Sequence, residues 1–443
     1  MLSYAQALAK RGYFAVTFDY LGHGRHPEAL RGDVTQVEGA TQALIEQTRA
    51  AADFALTQPE ADGRLALLGH SMASDIIVRY AARDPRVAST IAISMFSTAV
   101  TADEPRNLLV VVGGLEGFLK EEALRVQGLV TPNPRAGETL GDFTAGTARR
   151  VAFAPGVEHV GVLYSRAALS EVVLWLDAVF DQPTANLAFA SRGLAIVALL
   201  VGLATLAWPL STLLPTLVDP PRGASLSWPE LAVAALLPAI LTPLILVRFP
   251  ADFMGVLVGG YLAVHFLIYG LIGGACLWVL RGRHAGPGTP ATDTRSRAYV
   301  PFALVTLLAS LYLAGAFAWA LDSFVTSYAI TPTRWPLVGA TFIGTLAYFL
   351  ADEWIAHGEH TATGAHLFTR LCFLLSLGLA VALSFEELFF LLIIAAVIVI
   401  YFLVYGFFSR WVYRATGHPA VGAIANAVAF AWALGAVFPF LAQ

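Results

Sequence analysis

Three polar side chains, each placed just after an apolar run, carry the clearest chemistry in this 443-residue sequence. The run at 65–68 leads into Gly69-His70-Ser71-Met72-Ala73. Glu116 follows a second run at 108–112, and His159 follows a third at 150–153. A hydroxyl, an imidazole and a carboxylate are the groups that nucleophilic acyl transfer uses, with the imidazole as base and the carboxylate orienting it.

The residues around Ser71 predict a sharp strand–turn–helix connection that presents the serine hydroxyl as a nucleophile. Such a turn needs small residues two positions before and after the serine, and Gly69 and Ala73 occupy them. Alanine stands where a second glycine is usual. A serine at a helix N-terminus favours a developing anion, and the backbone N–H of Met72 is the predicted oxyanion donor. His70 is predicted only as part of this turn.

Apolar runs and helical patterns alternate over the first 180 residues. Strands are predicted at 13–18, 65–68, 87–95, 108–112 and 150–153, and helices at 3–11, 38–57, 71–83 and 166–180. Strands that are apolar throughout and separated by helices indicate a parallel sheet covered on both faces.

This arrangement resembles the α/β-hydrolase family over roughly residues 1–180. The order serine, acid, histidine is the family's order, and Asp19–Gly24 is similar to the D-x-x-G-x-G segment of its lipase- and peptidase-like members. The resemblance implies a lipase-, esterase- or serine aminopeptidase-like hydrolase with Ser71, Glu116 and His159 as its triad, an acyl-enzyme intermediate and no cofactor or metal. Asp19, His23 and His26 are interpreted as loop residues that shape a turn near the site.

The sequence departs from that family in two places. Members have two or three strands before the first helix, and a turn after the third supplies a second oxyanion N–H; no such segment stands before Met1. We therefore expect the natural chain to begin further upstream, with the missing strands and an export or anchoring segment. The stretch at 96–107 is too short for a lid, which predicts an open acyl pocket or one covered by the remaining domain.

Composition changes sharply near residue 182. Overall 57% of residues are hydrophobic and only 13% charged, with a mean hydropathy of +0.67, which is typical of membrane proteins. We predict an α/β-hydrolase domain at 1–182 and, at 183–443, an all-α transmembrane bundle of about eight helices, each about 20 residues long. The apolar runs lie at 193–214, 229–249, 253–280, 300–321, 336–352, 366–385, 387–409 and 419–441.

Arginines between these runs indicate an orientation. Loops on one side carry Arg222, Arg281, Arg283, Arg295, Arg297, Arg370, Arg410 and Arg414; those on the other carry Arg192, Arg248 and Arg334. Positive charge accumulates on the cytoplasmic side. This predicts a multi-pass protein of the bacterial plasma membrane, with an extracytoplasmic hydrolase domain if an upstream export segment exists and a cytoplasmic one if the chain is complete.

Polar residues gather at the end of one apolar run, where Asp352, Glu353, His357, His360 and His366 follow closely. Glu353 and His357 would share a helix face, and such a pair can bind zinc. Their place at the end of a run favours a solvated loop, so no metal site is predicted. His265, inside a run, is interpreted as a packed, hydrogen-bonded histidine.

The net charge of the chain restricts the classes of partner that it can bind. The net charge is −4 with no basic patch, which gives nucleic-acid binding no support. The predicted partners are a small-molecule or lipid-like acyl substrate and membrane lipids. Two alternatives stay open: a transporter-like membrane protein with a regulatory hydrolase domain, and an inactive hydrolase fold that serves as a binding module.

Overall fold

The computed structural model describes residues 1–33, 36–183, 192–250, 254–284 and 299–442. The chain divides into two compact units. The first comprises Met1–Leu21 and Leu30–Val197, and the second Gly22–Ala29 and Ala198–Gln443. The predicted domain boundary at 182/183 stays a prediction.

The first unit contains a five-stranded mixed sheet in the order β1-β2-β3-β5-β4. Four strands are parallel, whereas β4 runs antiparallel to β5. The expectation of an all-parallel sheet is therefore wrong at one edge, where a two-residue strand from the segment between α4 and β5 runs back along β5. The strands are β1 Leu65–His70, β2 Val87–Ile93, β3 Leu108–Gly113, β4 Thr139–Leu140 and β5 Arg149–Ala154.

Helices cover both faces of this sheet, as the sequence predicts. Successive strand residues point to opposite faces. Ile91 and Leu109 pack with residues of α1 and α5, while Ala92 and Val110 pack with residues of α3 and α4. The helices of this unit are α1 Leu2–Lys10, α2 Gln42–Leu56, α3 Met72–Ala81, α4 Gly117–Gln127 and α5 Arg166–Val179.

The apolar run at 13–18 is not a strand, contrary to prediction. It belongs to no ladder of the sheet, and Phe14 and Phe18 are 47% and 42% exposed. A strand exists only where its N–H and C=O groups pair with a neighbour. Apolar composition alone could not reveal that this run lacks a partner.

The second unit is helical. Within the described residues, eight helical segments are long and apolar enough to cross a membrane, in agreement with the eight predicted runs. The helices are α6 Gly193–Ser211, which begins in the first unit, α7 Trp228–Ile245, α8 Gly259–His284, α9 Tyr299–Ser310, α10 Phe317–Phe324, α11 Trp335–Ala356, α12 Ala365–Leu383, α13 Phe385–Leu388, α14 Phe390–Thr416 and α15 Pro419–Val437. A wider helical turn, Leu311–Ala316, joins α9 to α10 into one span.

Some residues that were expected in loops between the apolar runs continue a helix or are buried. The backbone of 281–284, between two of the predicted apolar runs, continues α8, while residues 285–298, including Arg295 and Arg297, lie outside the described residues. Arg334 and Arg370, counted as loop charges, are 1% and 7% exposed. A buried guanidinium needs several acceptors, and Arg334 donates to the carbonyls of Gly435, Phe438 and Gly22.

The segment expected to form a turn does so, since Gly22 and Gly24 have positive φ angles of 73° and 51°. Its residues from Gly22 onward belong to the second unit. There the Gly22 carbonyl accepts from Phe440 N as well as from Arg334.

Candidate active site

Ser71 lies in the turn between β1 and α3, in a backbone conformation that residues other than glycine rarely adopt. Its φ is 55° and its ψ −125°. Such strain persists only where the surroundings impose it. Here the Ser71 N–H donates to the Ile93 carbonyl of the neighbouring strand at 2.9 Å. The next residue already begins α3, so the predicted helix starts one residue later than expected.

Glycine at position 69 is required by the closeness of the helix that follows. A Cβ atom there would lie 2.6 Å from the Ala73 carbonyl oxygen and 3.0 Å from the Ser74 nitrogen. Both are backbone atoms that cannot rotate away. The requirement for a small residue before the serine is therefore a steric consequence of the turn.

The three predicted residues form a continuous chain of hydrogen bonds. The distance from Ser71 Oγ to His159 Nε2 is 2.9 Å, and that from His159 Nδ1 to Glu116 Oε1 is 2.6 Å. An ionised carboxylate only accepts, so Nδ1 carries the proton. The lone pair then lies on Nε2, and the Ser71 hydroxyl donates to it.

Two residues that sequence reasoning missed hold Glu116 in place. Ser94 Oγ donates to Glu116 Oε2 at 2.7 Å, and the Gly113 N–H donates to the same oxygen at 2.6 Å. Burial alone would raise the pKa of the Glu116 carboxyl, but the hydrogen bonds from His159, Ser94 and Gly113 together lower it. Glu116 is thereby kept as a carboxylate.

Signals for these two residues exist only in the fold. Ser94 follows the end of β2 with a φ of 50°. Gly113 ends β3, where a Cβ would lie 2.8 Å from Glu116 Oε2. Ser94 is distant from Glu116 in the sequence, and Gly113, although close to it in the sequence, contacts its carboxylate only because the turn after β3 folds back.

His70 contacts the backbone of the candidate base. Its Nε2 lies 2.8 Å from the His159 carbonyl oxygen, which can only accept, so His70 donates. The two imidazole rings lie 4.7 Å apart. Burial lowers the pKa of His70 to about 4, with a further lowering from His159. His70 is therefore neutral at neutral pH and positions the loop that carries His159.

Met72 occupies the first position of α3, so its N–H has no acceptor within the helix. This leaves it available beside Ser71. Large apolar side chains that follow the same strand ends are exposed, namely Met72, Phe96, Leu115, Phe118 and Val160. Phe96 and Phe118 stack with ring centroids 5.7 Å apart.

The polar cluster near the end of α11 is not a solvated loop, contrary to expectation. Asp352, Glu353 and His357 are 4%, 0% and 7% exposed, whereas His360 is exposed. His265 agrees with its interpretation, because it is fully buried and its Nε2 lies 3.0 Å from Ser376 Oγ.

Comparison with known proteins agrees with the geometry of the first unit. Residues 1–147 match the family model Hydrolase_4, described as serine aminopeptidase, S33. This match indicates an α/β-hydrolase fold and a hydrolase of that type. Ser71 and Glu116 lie within the matched residues, and His159 lies beyond them. No curated protein and no solved structure matches the chain.

Proposed function

We propose that this chain is a membrane-anchored serine hydrolase that cleaves acyl esters or amides through a Ser71–His159–Glu116 triad. The observation that carries the proposal is the unbroken chain of hydrogen bonds from Ser71 Oγ through both nitrogens of His159 to a buried carboxylate. Serine is a weak nucleophile unless a base is within hydrogen-bonding reach, and this arrangement supplies the base and its orienting partner.

The proposed reaction proceeds in two steps. Ser71 Oγ attacks the substrate carbonyl carbon while His159 Nε2 takes the hydroxyl proton. The imidazolium, stabilised by Glu116, returns that proton to the leaving alcohol or amine as the bond to the acyl carbon breaks. Water then attacks the acyl-enzyme and gives a proton to His159, which passes it to Ser71 Oγ as the acid leaves.

The negative charge on the carbonyl oxygen needs donors that are already in place. The Met72 N–H at the start of α3 is the proposed donor. A donor of this kind contributes about 10²–10³-fold in rate.

The exposed apolar residues at the strand ends support an apolar acyl group as substrate. Phe96 and Phe118 are 52% and 67% exposed, and Leu115 is 67% exposed. Each apolar square ångström that a substrate covers contributes about 25 cal/mol. A medium-length acyl chain laid across these side chains would therefore bind better than an acetyl group.

Anchoring in a membrane is proposed from the second unit. Its helical segments have mean hydropathies of 1.2 to 2.2 and are mostly apolar on the outside. In water such surfaces would aggregate, whereas lipid covers them without cost. The bacterial plasma membrane and the side on which the hydrolase lies remain predictions from the arginine distribution.

Fluorophosphonate labelling of the purified full chain in detergent tests the proposal, because the reagent reacts with activated serines. We expect labelling of the wild type, none of Ser71→Ala, and a strong reduction for His159→Ala. Ser170→Ala, on the surface of α5, is the matched control and should label normally.

Two results would overturn the proposal. Labelling that survives in Ser71→Ala would place the reactive serine elsewhere. A folded wild type that never labels would favour the binding-module alternative.

A further inference from the structure

A second cluster of reactive side chains lies in the second unit, at the C-terminal end of α11 and the N-terminal end of α12. It consists of Glu353, His357 and His366. One donor atom from each lies within 4.8 Å of the donors of the other two. Glu353 is completely buried, and His357 nearly so. A buried carboxylate and a buried imidazole beside the partly buried imidazole of His366 call for an explanation.

Two atoms of the cluster have no hydrogen-bond partner among the described residues: Glu353 Oε2 and His366 Nδ1. His357 Nδ1 lies 3.2 Å from Glu353 Oε2, but that nitrogen donates to the Glu353 carbonyl at 2.9 Å. The Ser409 hydroxyl also interacts with the Glu353 carboxyl group. Buried polar atoms are nearly always paired. In the tautomer of His366 whose Nδ1 carries no proton, both atoms present an unpaired lone pair, which a bound cation would satisfy.

Surrounding groups already orient these side chains. Arg370 Nη2 donates to the other carboxylate oxygen, Glu353 Oε1, at 3.0 Å. His366 Nε2 lies 3.0 Å from the Gly406 carbonyl oxygen, to which it can only donate. Histidines that bind metals commonly donate their second N–H to a carbonyl or carboxylate. Both His357 and His366 have such a carbonyl contact.

The charge of the cluster favours a cation. Asp352 and Glu353 supply two carboxylates, and Arg370 supplies one buried guanidinium, 4.0 Å and 3.0 Å from them. Among these buried groups, two carboxylates face one guanidinium, and the exposed Arg410 also acts electrostatically on His357 and His366. Thr369 hydrogen-bonds the Asp352 carboxyl group.

We propose that Glu353, His357 and His366 bind a divalent transition metal ion of the zinc class. Imidazole suits zinc and its neighbours in the first transition series, and two histidines with one glutamate make a three-ligand set that leaves a fourth position open. Zinc bonds of about 2.0–2.2 Å in a tetrahedron separate donors by roughly 3.3–3.6 Å. The three donors lie within 4.8 Å of one another, so side-chain rotation can supply any closer approach that the ion requires.

Arg370 also touches His366 Nε2, and the two contacts of that nitrogen exclude each other. Nε2 either accepts from Arg370, with the proton on Nδ1, or donates to Gly406 and leaves Nδ1 free. Metal binding selects the second tautomer. Arg370 then acts through Glu353, whose carboxylate it orients.

Cobalt titration of the purified, chelator-stripped full chain tests this site directly. Co²⁺ that is bound by imidazole ligands in a site of four or five donors absorbs visible light through d–d transitions. Zn²⁺ removes this absorption when it displaces the Co²⁺ ion. We expect a saturable band at one ion per chain, abolished by Zn²⁺. His357→Ala and His366→Ala should each weaken binding at least about 10–100-fold. His360→Ala is the matched control, an exposed histidine of the same loop, and should bind as the wild type does.

The cobalt titration can overturn the proposal in two ways. A folded wild type without a saturable band, or with a band that His357→Ala and His366→Ala leave unchanged, refutes it. The inference does not rest on the proposed hydrolase: Ser71→Ala should bind cobalt normally, and the chelator-stripped wild type should still react with fluorophosphonate.

Discussion

Replacing Glu116 with glutamine should reverse the proton on His159. Glu116 Oε2 receives the Gly113 N–H at 2.6 Å, and a backbone N–H cannot become an acceptor. The amide oxygen of glutamine must therefore occupy that position. The amide NH₂ then faces His159 Nδ1, where Oε1 now lies at 2.6 Å. Because NH₂ only donates, Nδ1 must give up its proton, and Nε2 must carry it.

A protonated Nε2 cannot accept the Ser71 proton, so the base is lost while the shape of the site is kept. The corresponding Asp→Asn change in serine protease triads lowers kcat by about 10⁴-fold. We expect a similar loss for Glu116→Gln, equivalent to about 5 kcal/mol in the barrier. Ser94→Ala removes one donor to Oε2 without changing the tautomer, and its cost should be about 10–100-fold.

Hydrolysis of a saturating chromogenic acyl ester by the solubilised full chain measures the effect, with thermal unfolding to establish that each variant is folded. Glu121→Gln, an exposed glutamate on α4, is the matched control and should leave kcat unchanged. A folded Glu116→Gln variant that keeps kcat within about 10-fold of the wild type would refute the assignment of the His159 tautomer. A Ser94→Ala loss as large as that of Glu116→Gln would refute the same reasoning.

Three further outcomes are expected. Gly69→Ala should destabilise the first unit by about 1–3 kcal/mol and abolish fluorophosphonate labelling, because the added Cβ would meet the Ala73 backbone. Gly117→Ala, with open space around the added Cβ, should be tolerated. Thermal unfolding and labelling of both variants measure these effects. The pKa of His70 is about 4 in the fold, against an ordinary value near 6.5. Its contribution to the free energy of unfolding, about 3 kcal/mol, is therefore fully present above pH 6.5 and is lost as the pH falls toward 4. Hydrogen exchange of the β1 amides should show this dependence of stability on pH, and His70→Gln should remove most of it. The chain should stay in the membrane pellet after an alkaline wash, and its release into the supernatant would count against membrane spans.

Much of the candidate site could be predicted from the sequence, because its parts follow from local order. Ser71, Glu116 and His159 each lie in the short segment that follows an apolar run, and the carboxyl ends of parallel strands meet at one edge of a sheet. Their proximity thus depends only on strand direction. The eight apolar segments could also be predicted from the sequence, since length and composition alone determine whether a helix can span a membrane.

What the sequence could not determine depends on neighbours that lie far along the chain. The run at 13–18 has strand composition, yet strand formation requires a paired edge, which only the tertiary structure provides or denies. Ser94 becomes a partner of Glu116 because the adjacent strands β2 and β3 end side by side. Gly113 becomes one because the turn after β3 folds the Glu116 side chain back onto its N–H. The charged cluster near the end of α11 lies at the end of an apolar run, and this position predicts a loop. It is buried because α12, α14 and α15 pack residues against the end of α11, and burial is a property of the packed helices rather than of the residues themselves.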